Sequence, residues 1–288
     1  MPGEDQEKPL SHPGEHCILT LTWFLLQWLF LLHELYLKNP CQKLPRLPVL
    51  RSLVVIAFLS AEFFCGFETA TPLPVVLAPS GAGKTTLLDC LAGLIVPEAG
   101  CVEGVSHPSY LFQEPRLLPW YSLEKNVLLP MKKFYSQEEA QKRVAFFLSQ
   151  VELEHKKGAL PLHCSGGERQ RCALARAFAF PSEVLLMDEP FQSQDISLKL
   201  RLMELTERLL EKERKTVVFV THDVREALAL GDRVLLLLGT PLKIVYEVPK
   251  EILEEGKKLP VRQRYTCPNS RVFETEKLLL TYLSEHSL

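Results

Sequence analysis

A glycine-rich segment followed by a lysine and two threonines is the part of the sequence best suited to hold phosphate groups. It comprises Ala78, Pro79, Ser80, Gly81, Ala82, Gly83, Lys84, Thr85 and Thr86. Glycines let the backbone curl so that N–H groups point at phosphate oxygens, and a following helix adds its positive dipole end. Lys84 can reach the β- and γ-phosphates of a nucleotide, and the Thr85 hydroxyl can bind Mg²⁺. Ala78 replaces the first glycine of the GxxxxGK[ST] pattern, a change that costs stability only where φ must be positive.

Two adjacent carboxylates could supply the chemistry of hydrolysis. Asp188 and Glu189 directly follow the apolar run 184–187. Ligands of open α/β sheets bind at the carboxyl ends of the strands, so both side chains should face a bound ligand. Asp188 suits Mg²⁺, and Glu189 can orient or polarise an attacking water molecule. An Asp-Glu pair after a strand is common by itself, but together with the phosphate-binding segment it indicates nucleotide hydrolysis.

The elements that position these residues alternate between strands and helices. Strands are predicted at 74–78, 184–187, 216–220, 233–238 and 243–248. Helices are predicted at 84–91, after the capping box of Ser136 and Glu139, at 167–180, through 198–209, and in a short segment ending near Gly231. A polar stretch and a final helix complete the chain. This alternation predicts an α/β fold of the P-loop NTPase type, with a mostly parallel sheet covered on both faces.

Composition limits the range of partners and ligands. The 288 residues have a formal net charge of −2, so a basic surface for nucleic acid is not expected. The eight cysteines form no CxxC pair. They are therefore interpreted as reduced thiols of a cytosolic protein, without a disulfide framework or a zinc site.

A second glycine turn identifies a family by resemblance. The segment from Cys164 to Arg171 reads CSGGERQR and resembles the LSGGQ signature of ABC-transporter ATPases. In that family the turn faces the γ-phosphate of ATP held by a second subunit, which implies a homodimer with ATP between the two copies. The residues carried over to this role are Ser165, Gly166, Gly167 and Glu168. A glycine turn that opens a helix is itself suited to bind an anion.

Three more positions resemble elements of the same family, in the same order. Gln113 matches the glutamine that contacts Mg²⁺ and the water molecule and couples to the membrane subunit. Asp195 matches the end of the D-loop, although Gln192-Ser193-Gln194-Asp195 departs from the usual SALD form. His222 in Thr-His-Asp matches the switch histidine, which contacts the γ-phosphate. The resemblance covers about residues 74–240 and implies that Lys84, Gln113, Glu189 and His222 carry catalysis. It assigns Thr85, Gln113 and Asp188 to Mg²⁺.

The segment around Gln113, QEPRLLPW, is similar to the nitrate, sulfonate and taurine group of importer ATPases, and thiamine-precursor systems have similar subunits. This likeness implies a membrane-spanning permease, an extracytoplasmic solute-binding protein reached through it, and a peripheral position at the cytoplasmic face of the membrane. It leaves the solute open. A catalytically weakened nucleotide-gated subunit and a non-transport ABC ATPase that acts on nucleic acid or chromosomes are the alternatives.

The N-terminal part fits the family least well. Residues 17–32 carry no charge but are borderline for a spanning helix, which needs about 17–25 residues. A membrane helix, a helix packed on the domain or on a partner, and an extended start of the chain all stay open. No clean pattern marks the aromatic that should stack on adenine; the candidates are Phe58, Phe63, Phe64 and Phe67. We divide the chain into an atypical extension (1–50), the ATPase domain (51–245) and a C-terminal extension (246–288).

Overall fold

The computed structural model describes residues 73–285, except 98–101, 103–104, 106 and 240–241. The predictions for residues 17–32 and for the candidate adenine-stacking phenylalanines lie outside the described residues. Within the described part of the chain, no helix is long and apolar enough to cross a membrane.

Six strands form one sheet. They are β1 (Pro74–Leu77), β2 (Ser109–Leu111), β3 (Val184–Asp188), β4 (Thr216–Thr221), β5 (Arg233–Leu238) and β6 (Lys243–Glu247). Their order is β2-β3-β4-β1-β5-β6; the first five strands are parallel and β6 is antiparallel. The predicted mostly parallel sheet is confirmed. Strand β2 was not predicted, because three residues are too few to show a period; its pairing with β3 defines it.

The helices follow the strands as expected, with three additions, at 123–128, 250–256 and 261–266. They are α1 (Lys84–Leu91), α2 (Leu123–Leu128), α3 (Gln137–Gln150), α4 (Gly166–Ala179), α5 (Ile196–Lys212), α6 (Val224–Leu230), α7 (Lys250–Gly256), α8 (Val261–Thr266) and α9 (Ser270–Glu285). The capping box predicted at Ser136 is present. Helices α7 and α8 occupy the stretch that was predicted only as polar, and each begins directly after a proline.

The inner strands β1, β3, β4 and β5 are mostly apolar because both faces of the sheet are covered there. Along each of these strands, alternate side chains enter two separate clusters of buried residues, as the two-residue period of a strand requires. In β1, for example, Val75 and Leu77 face one cluster and Val76 faces the other. Helix α1 contributes Leu87 and Leu88 to the second cluster. Helices α3 to α6 cover the first cluster. The sheet is thereby held as a rigid platform for the loops at its edge.

Candidate active site

Four neighbouring parallel strands deliver the predicted residues to one edge of the sheet. In sheet order, β2 precedes Gln113, β3 ends at Asp188, β4 precedes His222, and β1 precedes the glycine-rich loop. Because parallel strands present their carboxyl ends at the same edge, residues more than a hundred positions apart in sequence meet there.

The glycine-rich loop has the backbone that its sequence predicts. Gly81 has φ 78° and Gly83 has φ 97°, the left-handed region that favours glycine. A Cβ atom at Gly81 would meet nothing within 4 Å, so the backbone conformation, and not space, selects glycine there. Ala78 is fully buried and is not among the described residues with positive φ. The alanine at the first glycine position therefore causes no backbone strain.

Lys84 is buried, and its charge is matched within the site. Its Nζ lies 3.0 Å from Glu189 Oε1 and donates hydrogen bonds to the carbonyl oxygens of Ala78 (3.0 Å) and Pro79 (2.8 Å). A buried cation needs such partners, because loss of solvation is otherwise costly. The ammonium group is thus held between the loop and the carboxylate that follows β3.

Asp188 and Thr85 form the part of the site suited to a metal ion. The Thr85 hydroxyl donates a hydrogen bond of 2.8 Å to Asp188 Oδ2. Burial raises the pKa of Asp188, while the Thr85 hydrogen bond acts in the opposite direction. A hydroxyl, a carboxylate and the Gln113 amide oxygen are hard oxygen donors of the kind that Mg²⁺ prefers, and Mg²⁺ needs few protein ligands. The described residues contain no group of three or more His, Cys, Asp or Glu that could hold a metal, so a metal here would rely on the hydroxyl and the amide as well as on Asp188.

Glu189 is held between two basic side chains by a strained backbone. Its φ is 43°, a conformation that a residue with a side chain adopts at a cost of about 1–3 kcal/mol. One carboxylate oxygen contacts Lys84, and the other lies 2.9 Å from His222 Nδ1. The Glu189 N–H donates to the Val220 carbonyl (3.0 Å), and the Gln170 amide donates to that of Pro190 (2.8 Å). Such strain persists only where surrounding contacts enforce it, as in active sites.

A cavity of about 400 Å³ lies against these groups. Its lining consists of Ser80, Gly81, Gly83, Lys84, Thr85, Thr86, Gln113, Glu189 and Gln192. Gln192 was not predicted as a site residue and was noted only as a departure in the D-loop. Its side-chain oxygen accepts a hydrogen bond from the Gln113 amide, so it faces the predicted metal-binding glutamine. The only sign in the sequence that Gln192 belongs to the site was an amide side chain three residues after Glu189.

In the described structure, the signature turn lies outside the cavity of the glycine-rich loop. The Ser165 hydroxyl accepts from Glu168 N (3.2 Å) and Glu168 Oε2 accepts from Ser165 N (2.9 Å), a capping box at the start of α4. Lys156 Nζ lies 2.6 Å from Glu168 Oε1. Hydrogen bonds from Lys156 and then from the Ser165 backbone lower the pKa of Glu168 to about 2. Neither Gly166 nor Gly167, nor the two capping residues, line the cavity described above.

Asp195 also acts as a helix cap. Its side chain accepts a hydrogen bond of 3.0 Å from Leu198 N at the start of α5. Asp195 and the signature residues are therefore not brought to the glycine-rich loop within this chain. Ala78, Pro79 and Ala82 belong to that loop but do not line the cavity. The fold and the site together define a P-loop nucleoside triphosphatase.

Comparison with known proteins defines the family. The family model described as ABC transporter matches residues 73–192. The aliphatic sulfonates import ATP-binding protein SsuB of Corynebacterium glutamicum is 42% identical over 174 residues, which cover 60% of this chain and 70% of that protein. The chain therefore belongs to the ATP-binding subunits of the ABC transporter family.

Further relatives and solved structures agree with this assignment. The protein of the same name from Granulibacter bethesdensis is 47% identical over 162 residues, 56% of this chain and 66% of that protein. The ATP-binding cassette MJ0796, solved as a dimer in a post-hydrolysis state bound to ADP and Pi, has a TM-score of 0.54 and 29% identity. The match covers 63% of this chain and 87% of that one. The aligned part of this chain thus spans about two thirds of its sequence relatives.

Proposed function

We propose that this chain hydrolyses ATP and that the hydrolysis drives import of a small sulfonate-type solute through a membrane permease. The observation that carries the ATPase part is the Glu189 carboxylate, held between Lys84 and His222 beside the cavity of the glycine-rich loop. A base, a cation that can offset developing negative charge and a second polar group therefore lie together beside the cavity, which supports hydrolysis of a bound nucleotide.

The proposed reaction uses each group in one role. Glu189 orients a water molecule and takes its proton as the water oxygen bonds to the γ-phosphorus and the bond to the ADP oxygen breaks. Lys84 offsets the negative charge on the phosphoryl oxygens, and His222 contacts them from the β4 side. Thr85, Asp188 and Gln113 would hold Mg²⁺, and the bound ion would supply positive charge that offsets the charge of the phosphate oxygens. Ser165, Gly166, Gly167 and Glu168 of a second copy would close the site from the opposite side.

The partners follow from the relatives. Proteins named as sulfonate importers are the sequence neighbours of the chain, so we propose a permease as the partner of the Gln113 segment and an extracytoplasmic solute-binding protein beyond it. Two copies with ATP between them agree with the dimeric MJ0796 cassettes. As the ATP-binding partner of a permease, the chain would take a peripheral position at the cytoplasmic face of the membrane.

The two alternatives have less support. A catalytically weakened subunit would be expected to lose a reacting group, yet Lys84, Asp188, Glu189 and His222 meet at one edge of the sheet. A non-transport ATPase would not be expected to have sulfonate importers as its sequence neighbours.

The test of hydrolysis compares the purified full chain with Glu189→Gln, which keeps the size of the side chain but removes its basicity. We expect phosphate release to fall at least about a hundredfold, the usual contribution of a general base. Binding of a fluorescent ATP analogue should be retained. Wild-type turnover in Glu189→Gln would overturn the role of Glu189, and absence of turnover in the wild type with its permease would overturn the proposed activity.

The test of the solute uses proteoliposomes that contain the chain, its permease and the solute-binding protein. We expect ATP-dependent uptake of radiolabelled taurine or ethanesulfonate, with Glu189→Gln as the inactive control. Uptake of nitrate or a thiamine precursor, without uptake of either sulfonate, would redirect the solute assignment and leave the ATPase proposal intact.

A further inference from the structure

A largely buried but not fully enclosed lysine, which does not line the cavity, lies beside the loop that carries His222. Lys199 belongs to α5, one turn after Asp195. Its Nζ lies 2.9 Å from Asp223 Oδ2 and 2.7 Å from Glu226 Oε1. The lysine side chain is only 14% exposed and that of Glu226 only 3%, so solvent screens this cluster weakly.

The two carboxylates that Lys199 contacts fix the residues on either side of His222. Asp223 follows His222 directly and caps α6, accepting from the amides of Arg225 (2.9 Å) and Glu226 (3.2 Å). Thr221 precedes His222; its hydroxyl donates to Glu226 Oε2 (2.7 Å) and accepts from the Asp223 amide (3.0 Å). Lys199 thus reaches one neighbour of His222 directly and the other through Glu226.

The charge balance of this cluster depends on Lys199. Burial by itself would raise the pKa of Asp223, but the hydrogen bond and the charge of Lys199 bring it below its ordinary value. The pKa of Glu226 is raised, first by burial and then by repulsion from Asp223. Two carboxylates that lie side by side, one buried and one half-buried, repel each other unless a cation lies between them. Without Lys199, repulsion between Asp223 and Glu226 would therefore weaken the Asp223 cap of α6 and the hydrogen bond from Thr221 to Glu226.

Of the described C-terminal helices, α8 brings Tyr265 to the cluster. The Tyr265 hydroxyl of α8 donates a weak hydrogen bond of 3.3 Å to Asp223 Oδ2. Its ring centroid lies 5.8 Å from Lys199 Nζ. The other nearby base, Arg225, turns its guanidinium to Glu276 of α9 at 2.6 Å.

We infer that Lys199 is a positioning residue of the active site, which holds His222 against Glu189 by fixing Thr221 and Asp223. It also connects the His222 loop to the helix that begins at Asp195. The inference rests on the proposed ATP hydrolysis. Lys199 does not line the cavity, so its loss should slow the chemical step and leave ATP binding nearly unchanged.

The test measures kcat, KM for Mg·ATP and thermal midpoint for four variants of the full chain. In Lys199→Met we expect kcat to fall by about tenfold to a hundredfold, as for a displaced catalytic group, with KM nearly unchanged. Lys199→Arg keeps the charge and should recover most of kcat. Arg225→Gln removes the neighbouring ion pair between α6 and α9 and should keep the wild-type kcat.

A double variant separates position from stability. Lys199→Met with Glu226→Gln relieves the unbalanced charge, so its thermal midpoint should recover in part while kcat stays low. Recovery of kcat together with the midpoint would overturn the inference, as would a wild-type kcat in Lys199→Met.

A readout without ATP keeps the inference testable on its own. Hydrogen exchange of the Asp223 amide, which is bonded to the Thr221 hydroxyl, should be faster in Lys199→Met than in Lys199→Arg. Equal exchange in both variants would overturn the inference. A wild type without ATPase activity would instead be a failure of the proposed function, whatever the exchange shows.

Discussion

The glycine-rich loop and the signature turn are both glycine segments that open a helix, but their surroundings differ. The first lies beside a cavity where Lys84, Asp188, Glu189 and Gln113 of the same chain converge. The second carries its own capping box and the ion pair between Glu168 and the partly exposed Lys156. One half of the proposed site is thus assembled within the chain, and the other begins at the exposed Ser165 and Gly166 of the α4 N-terminus. The first amides of a helix have no backbone partner within the helix, which fits contact with phosphate held by another copy.

The glycine-rich loop and the signature turn therefore need different tests. Damage to the glycine-rich loop should affect nucleotide binding by a single chain. Damage to the signature turn should affect only the step in which two chains close over ATP.

The largest effect is expected for Lys84→Ala. This substitution removes a charged donor for phosphate and leaves Glu189 without its buried partner. A charged hydrogen bond contributes about 1.5–3 kcal/mol, so affinity for an ATP analogue should fall at least about tenfold. Fluorescence titration of the monomer measures it, and circular dichroism checks that the variant is folded. Unchanged affinity would contradict the assignment of Lys84 and the glycine-rich loop to nucleotide binding.

Ser165→Ala should have a smaller and more selective effect, with Ser136→Ala as its matched control. Both serines cap a helix in a capping box, so each substitution should cost about 1 kcal/mol of stability. Only Ser165→Ala should weaken ATP-induced dimerisation in a Glu189→Gln background, as measured by light scattering. Equal loss of dimer in both variants would mean that helix stability, and not phosphate contact, explains the effect.

A pair of substitutions tests how the chain accommodates a carboxylate at the signature turn. Glu168 stands where the family signature has glutamine, and a negative charge there should repel phosphate unless Lys156 neutralises it. We expect Lys156→Ala to weaken ATP-induced dimerisation severalfold, by about 1 kcal/mol or less, since the pair is partly exposed. In a Glu168→Gln background the same substitution should have no effect. An equal loss in both backgrounds would contradict charge compensation.

The smallest effect is a dependence of stability on pH. The pKa of Glu168 is about 2 in the folded chain, below its ordinary value, because of hydrogen bonds from Lys156 and Ser165. A lowered folded pKa gives stability that is present above the ordinary pKa and is lost as the pH falls from about 4.5 towards 2. The difference in free energy of unfolding between wild type and Glu168→Gln should shrink over that range in urea denaturation. A difference in free energy of unfolding that stays constant over this pH range would contradict the contribution of the Glu168 carboxylate to stability.

The C-terminal part of the chain illustrates the limits of sequence patterns. Residues 246–288 were predicted as an extension with one final helix, and the structure adds α7 and α8. These helices are short and polar in sequence, but α8 packs on α5 and α6. The buried Arg264 donates to the Ala229 carbonyl and pairs with Glu207, contacts that no local period reveals. The division into domains stays a prediction.

The sequence by itself determined the phosphate loop, the acidic pair, the signature turn and most of the parallel sheet, because each depends on residue type at short spacing or on a local period. Tertiary structure alone decided that the short β2 pairs with β3 and brings Gln113 opposite Gln192. It also placed Glu189 at positive φ and Lys199 beside the His222 loop. These features depend on strand order and on side-chain packing between distant segments, which local spacing does not encode.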